Sequence, residues 1–164
     1  GLGVDAVEVR KPEQLGGLDG LIIPGGESTA IGRLIRLYGL EQAIAAYSGP
    51  VFGTCAGMIL LSREAVDGMP DQPLLGAIDI SVHRNGYGRQ VMSFEADLAL
   101  AWDERPLRGV FIRAPRFGRV GASARVLAEL DGEPVRVEQG PHVAATFHPE
   151  LAEDDRVLLR FLGA

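Results

Sequence analysis

Twice in the first third of the chain an apolar run ends abruptly in glycine and gives way to a helical pattern. Leu21-Ile22-Ile23 stops at Pro24-Gly25-Gly26, and Pro50-Val51-Phe52 stops at Gly53. Neither run alternates polar with apolar, so both read as strands buried on two faces. After the first, Ile31, Leu34, Ile35 and Tyr38 fall at i, i+3, i+4 and i+7, and Gly39 closes that helix. A short helix over Leu40 to Tyr47 follows, and the second run leads into a helical segment from Ala56 to Val66. Strand, tight turn and helix in this order imply right-handed crossovers and a parallel sheet. The chain carries 22 glycines in 164 residues, roughly twice ordinary usage, and they cluster at the ends of apolar runs.

The remaining segments extend that sheet. Val4 to Val9 reads as a short strand ahead of the first turn. Beyond residue 74 the pattern becomes strand-rich: Leu75 to Val82, Arg89 to Phe94, Val110 to Arg113, Arg125 to Leu130, Pro134 to Glu138 and His142 to Phe147. Asp154 to Leu162 closes the chain as a helix. The expectation is one α/β domain over residues 1–164: an open, mostly parallel sheet with helices on both faces and antiparallel strands added in the second half. Sites in such sheets gather at the carboxyl ends of the strands.

Composition narrows the function. Hydrophobic residues at 46% and charged residues at 23% describe a folded chain. A net charge of −6 argues against a general nucleic-acid surface. Apolar stretches such as Met58-Ile59-Leu60-Leu61 are far too short to span a bilayer. One cysteine cannot form an internal disulfide, which fits a reduced cytoplasm. No Cys or His pair has metal-ligand spacing, so no metal is expected.

That cysteine is the sharpest chemical signal. In Gly53-Thr54-Cys55-Ala56-Gly57 a reactive residue sits between glycines, entered from a strand and left by a helix. This is the nucleophile-elbow arrangement, in which a crowded turn needs small neighbours and thrusts one side chain outward. A helix amino terminus there favours a thiolate. The plain alternative is a small buried hydrophobe. A nucleophile needs a base, and the base an orienting partner. Phe147-His148-Pro149-Glu150 offers both: in an extended segment His148 and Glu150 point the same way, so the carboxylate can fix the ring's tautomer. His83 and His142 lack such a companion and read as structural.

Pro24-Gly25-Gly26-Glu27-Ser28-Thr29 is neither a P-loop nor a dinucleotide fingerprint. It is either a turn in which Ser28 or Thr29 caps the next helix, or a set of free N–H groups lining an oxyanion site beside Cys55. Arg84 and Arg113 stand at strand ends, where an arginine is solvated or clamps a substrate carboxylate.

Taken together these segments resemble the class I (triad) glutamine amidotransferases, a flavodoxin-like α/β fold. Within them they resemble the glutaminase subunits of pyridoxal 5′-phosphate synthase. The resemblance is carried by Pro24–Thr29, Gly53–Met58, Arg84-Asn85 with Gly88-Arg89-Gln90 and Ser93-Phe94-Glu95, Phe111-Ile112-Arg113-Ala114-Pro115, and Phe147–Leu151. It implies Cys55 as nucleophile, His148 as base and Glu150 as its orienting carboxylate. It implies glutamine contacts at Gly26, Glu27, Ser28, Arg84, Ile112 and Arg113, and an oxyanion hole from the N–H groups of Gly26 and Ala56. It further implies no cofactor in this chain and L-glutamine as substrate. Ammonia would pass to a pyridoxal 5′-phosphate synthase (lyase) subunit, the partner in vitamin B6 formation. Partner docking would complete the oxyanion hole by reorienting the Gly25-Gly26 turn. The family begins with a strand and helix ahead of residue 1, so this domain is expected to lack both. Two other functions fit the residues: a partner-independent cysteine hydrolase of the same fold, and a non-enzymatic thiol sensor built on Cys55.

Overall fold

In the computed structural model, residues 2–87 and 93–163 are described. The first half delivers the expected units: β1 (Leu21–Ile23), α1 (Ser28–Leu37), α2 (Leu40–Ala46), β2 (Val51–Thr54) and α3 (Ala56–Leu61). The second half is strand-rich: β3 (Ser62–Ala65), β4 (Ile78–His83), β5 (Ser93–Leu100), β6 (Leu107–Ile112), β7 (Arg116–Val120), β8 (Arg125–Leu130), β9 (Glu133–Gln139) and β10 (His142–Ala145). Helix α4 (Arg156–Leu162) closes the described chain.

Seven strands form one sheet in the order β1-β2-β10-β9-β8-β5-β6, and β3-β4-β7 form a second. β2 runs parallel to both neighbours, with Phe52 opposite Ile22 on one side and Val143 on the other. β3 and β4 are also parallel, and the later strands join antiparallel. The chain is thus an α/β fold with a mixed sheet: β1, β2 and β10 run parallel at one edge, and antiparallel strands extend it from there.

Alternation along β2 divides the core. Val51 packs with Ile35, Ile44 and Leu60 beneath α1, α2 and α3, while Phe52 packs with Val143, Val157 and Phe161 beneath α4. Helices therefore cover both faces, and the unbroken burial of β2 follows from its place between them, flanked by β1 and β10.

Three expectations are corrected. Val4 to Val9 forms no strand; Val4 and Val7 are exposed, and no described strand runs beside this segment to take its backbone hydrogen bonds. The helix expected to reach Val66 ends at Leu61. Ser62 turns the chain there, its hydroxyl donating to the Ile59 carbonyl at 2.7 Å, and the next residues pair with β4. The strand expected from Leu75 begins only at Ile78, and β7 is an addition to the expected set. Of the strand expected over Arg89 to Phe94, residues 89–92 lie outside the described residues, and β5 starts at Ser93.

Candidate active site

Cys55 stands between β2 and α3 with φ 51° and ψ −105°, a left-handed conformation that side chains rarely adopt. Packing holds it there. A Cβ on Gly57 would lie 1.9 Å from the Ile23 carbonyl oxygen, and one on Gly53 would lie 2.5 Å from the Gly57 carbonyl. Helix α3 thus presses directly on the backbone of β1, which is why both flanking positions are glycine. The Cys55 N–H donates to the Ala145 carbonyl at 2.9 Å, tying the turn to β10. Its sulfur lies 3.8 Å from the Ile112 carbonyl oxygen, and the residue is 7% exposed.

β10 brings His148 to the same end of the sheet, where its N–H donates to the Val110 carbonyl at 2.8 Å. His148 then caps a 3-10 turn over Pro149–Leu151. The Nδ1 to Glu150 Oε1 contact of 2.8 Å is therefore made across a turn, not along an extended strand as i, i+2 spacing alone suggests. Nε2 is buried without a hydrogen-bond partner among the described residues. The neighbouring Cys55 sulfur, then Glu150, raise the imidazole pKa to about 9 against the opposing effect of burial. Burial pushes the Glu150 carboxyl up, but the His148 contact and a backbone hydrogen bond together outweigh it and the net shift is downward. Gly25 fixes the proximity of sulfur and ring: a Cβ there would lie 2.5 Å from His148 Cε1 and 3.4 Å from Cys55 Cβ.

Beside this group lies a second cluster. Glu27, rather than Ser28 or Thr29, is the N-cap of α1: its carboxylate accepts from Thr29 N–H at 3.0 Å and Ala30 N–H at 2.7 Å. Those bonds, led by the one from Thr29, lower its pKa despite partial desolvation. Arg84 donates to Glu27 Oε1 at 3.0 Å and to Thr29 Oγ1 at 3.3 Å, so it is not simply solvated. Ser28 is buried and Gly26 has φ 140°, a turn geometry suited to glycine. Ala56 opens α3, where an N–H has no intrahelical partner. Ile112 presents its carbonyl to Cys55 and leaves its side chain 40% exposed. Arg113 departs from β6 at φ 44° and is exposed, with no hydrogen bond or ion pair among the described residues.

Two contributors carry no sequence signal of their own. Gly25 belongs to a turn already suspected, but its packing on His148 is a tertiary fact. Asp67 accepts from the N–H groups of Arg84 and Asn85 at 2.6 and 3.3 Å, and no local motif marks it. Among the described residues no three His, Cys, Asp or Glu side chains gather as a metal site would require. No described helix is long and apolar enough to cross a membrane.

A cysteine elbow with a carboxylate-paired histidine on this α/β sheet fits the class of glutamine amidotransferases. Residues 2–162 match the model of the SNO glutamine amidotransferase family, and the chain belongs to that family. It is 53% identical over 165 residues to pyridoxal 5′-phosphate synthase subunit PdxT of Thermus thermophilus, covering 98% of this chain and 85% of the relative. It is 52% identical over 159 residues to the subunit of the same name from a Parafrankia species, covering 94% and 78%. A crystal structure of a glutamine amidotransferase superposes with a TM-score of 0.91 at 50% identity, covering 99% of this chain and 89% of that one. A putative GMP synthase subunit from Thermoplasma acidophilum shares the fold at TM-score 0.64 and 18% identity, covering 93% and 75%.

Proposed function

We propose that this chain hydrolyses L-glutamine to glutamate and ammonia as the glutaminase subunit of a pyridoxal 5′-phosphate synthase, with Cys55, His148 and Glu150 as its triad. The observation that carries the reading is the imidazole of His148, bonded to Glu150 and packed through Gly25 against Cys55. With a pKa near 9 the ring holds its proton at neutral pH, and the Glu150 carboxylate 2.8 Å away is its counter-charge. That proton is then in place for the leaving group.

The thiolate sulfur attacks the side-chain amide carbon, forming the S–C bond and moving charge to the carbonyl oxygen. The N–H groups of Gly26 and Ala56 receive that oxyanion; such donors contribute about 3–4 kcal/mol each in other enzymes. His148 gives its Nε2 proton to the nitrogen as the C–N bond breaks and ammonia leaves. A γ-glutamyl thioester remains. Neutral His148 takes a proton from water, hydroxide attacks the thioester, and the Cys55 thiolate returns as glutamate departs. Glu150 keeps the ring oriented throughout. Gly26, Glu27, Ser28, Arg84, Ile112 and Arg113 would bind the substrate.

The relatives' name, a subunit of a synthase, supports a partner for this chain; that partner would consume the ammonia before water can protonate it. Docking of that partner would reorient the Gly25-Gly26 turn and complete the oxyanion hole, a change glycine permits at low cost.

The test is ammonia release from glutamine, measured with and without the synthase subunit. Cys55→Ala and His148→Asn should each lower turnover by about 10⁴-fold or more, and Glu150→Gln by about 10²-fold or more. Native turnover in Cys55→Ala overturns the nucleophile assignment. Equal rates with and without partner overturn the activation step and favour a hydrolase that acts alone.

A further inference from the structure

A cavity lies at the far end of β2 from Cys55. It has a volume of about 410 Å³ and is lined by Pro50, Arg136, Glu138, Pro141, Arg160 and Phe161, among others. Pro50 directly precedes β2 and Pro141 lies in the turn from β9 to β10, so the cavity opens where those strands begin. The nucleophile stands where β2 ends.

Arg136 is the anomaly there. It is wholly buried, yet its Nε and Nη1 have no hydrogen-bond partner and no carboxylate pairs with it among the described residues. A buried cation without an anion is costly. Aromatic faces relieve part of that cost: the guanidinium carbon lies 5.7 Å from the Phe52 ring centre and 4.8 Å from that of Trp102. Arg160 lies 4.7 Å from the same Trp102 ring and is likewise unpaired among the described residues. Glu138 does not neutralise the pair, because Arg125 holds its carboxylate, with Nε donating at 2.8 Å. Burial, then the charge of Arg160, draw the Arg136 pKa down to about 10 against the pull of Glu138. Arg136 therefore remains a cation at neutral pH.

We propose that this cavity binds the phosphate group of a small phosphorylated molecule, with Arg136 and Arg160 facing the anion together. Two guanidiniums without a carboxylate partner suit a dianion whose several oxygens can accept from both. Guanidinium forks suit phosphate oxygens bidentately, and the volume lies within the range of small-molecule pockets. The inference is independent of the glutaminase reading, since no residue of that site lines the cavity.

The chain's single tryptophan makes the test direct, because Trp102 lies against both arginines. Tryptophan fluorescence is followed as inorganic phosphate is added at constant ionic strength, with sodium chloride as the exchanged salt. The expected result is a saturable change with a millimolar midpoint, and acetate at least tenfold weaker. Arg160→Gln, on a partly exposed side chain, should weaken the phosphate response at least tenfold, and Arg136→Met should abolish it. Cys55→Ala should respond as the native chain does. A spectrum indifferent to phosphate, acetate as effective as phosphate, or loss of response in Cys55→Ala each overturns the proposal. So does a native-like response in Arg160→Gln, which decides the matter if Arg136→Met fails to fold.

Discussion

Gly25 lies against the imidazole of His148 so closely that one added methyl would stand 2.5 Å from Cε1. Glu150 holds the same ring at Nδ1 across 2.8 Å, so a ring displaced by residue 25 must strain that bond. Gly25→Ala should therefore lower glutamine turnover by about 10²-fold, as a misplacement of about 1 Å does in other active sites. Its melting temperature should fall by only a few degrees, as an overpacking cost of about 1–3 kcal/mol implies. Native kcat in that variant would show that the turn is looser than its packing indicates.

The imidazole itself gives a pH prediction. Cys55 contributes most to raising its pKa to about 9, and Glu150 comes next. By NMR titration, His148 should fall back toward 6.5 in Cys55→Ala, and partway in Glu150→Gln. Because the folded value is raised, the associated stability is full below about pH 6.5 and is lost as pH rises through about 9. Glutamine turnover should decline over the same upper limb, and Glu150→Gln should move that limb to lower pH. A ring titrating near 6.5 in the native protein would contradict this account.

Gly57 makes a stability prediction. Alanine there must displace the Ile23 carbonyl, since its Cβ would lie at 1.9 Å. Overpacking against side chains typically costs about 1–3 kcal/mol, and rigid backbone leaves less room to relax. Urea unfolding of Gly57→Ala should show a loss at or above that range.

Asp67 is expected to act through Arg84. Burial works against its charge, yet the N–H groups of Arg84 and Asn85 hold its pKa down. Asp67→Ala should free the 84–85 turn and raise KM for glutamine several-fold while kcat stays near native. A fall in kcat at unchanged KM would remove it from substrate positioning.

What sequence made legible was whatever is local. The elbow occupies residues 53–57 and the His148–Glu150 pair spans three residues, so each carries its own turn chemistry. Boundaries set by distant partners were not legible. Every residue of Ala56–Leu61 is buried, which erases the periodicity that would have marked the end of α3. The valines of Val4–Val9 say that a strand could form, but not that a neighbour lies beside it. Glu27 is hidden as a cap because Ser, Thr, Asp and Asn dominate that position.

The peptide torsions around the nucleophile have one more outcome. At φ 51° the α-carbon of residue 55 occupies ground where an achiral residue rests easily and any other is bent. Glycine and alanine placed there would be equally mute toward glutamine, yet the glycine form should outlast the alanine form on heating. Durability and reactivity thus pull in opposite directions at a single atom, and a descendant with no use for ammonia could harden itself through that one position.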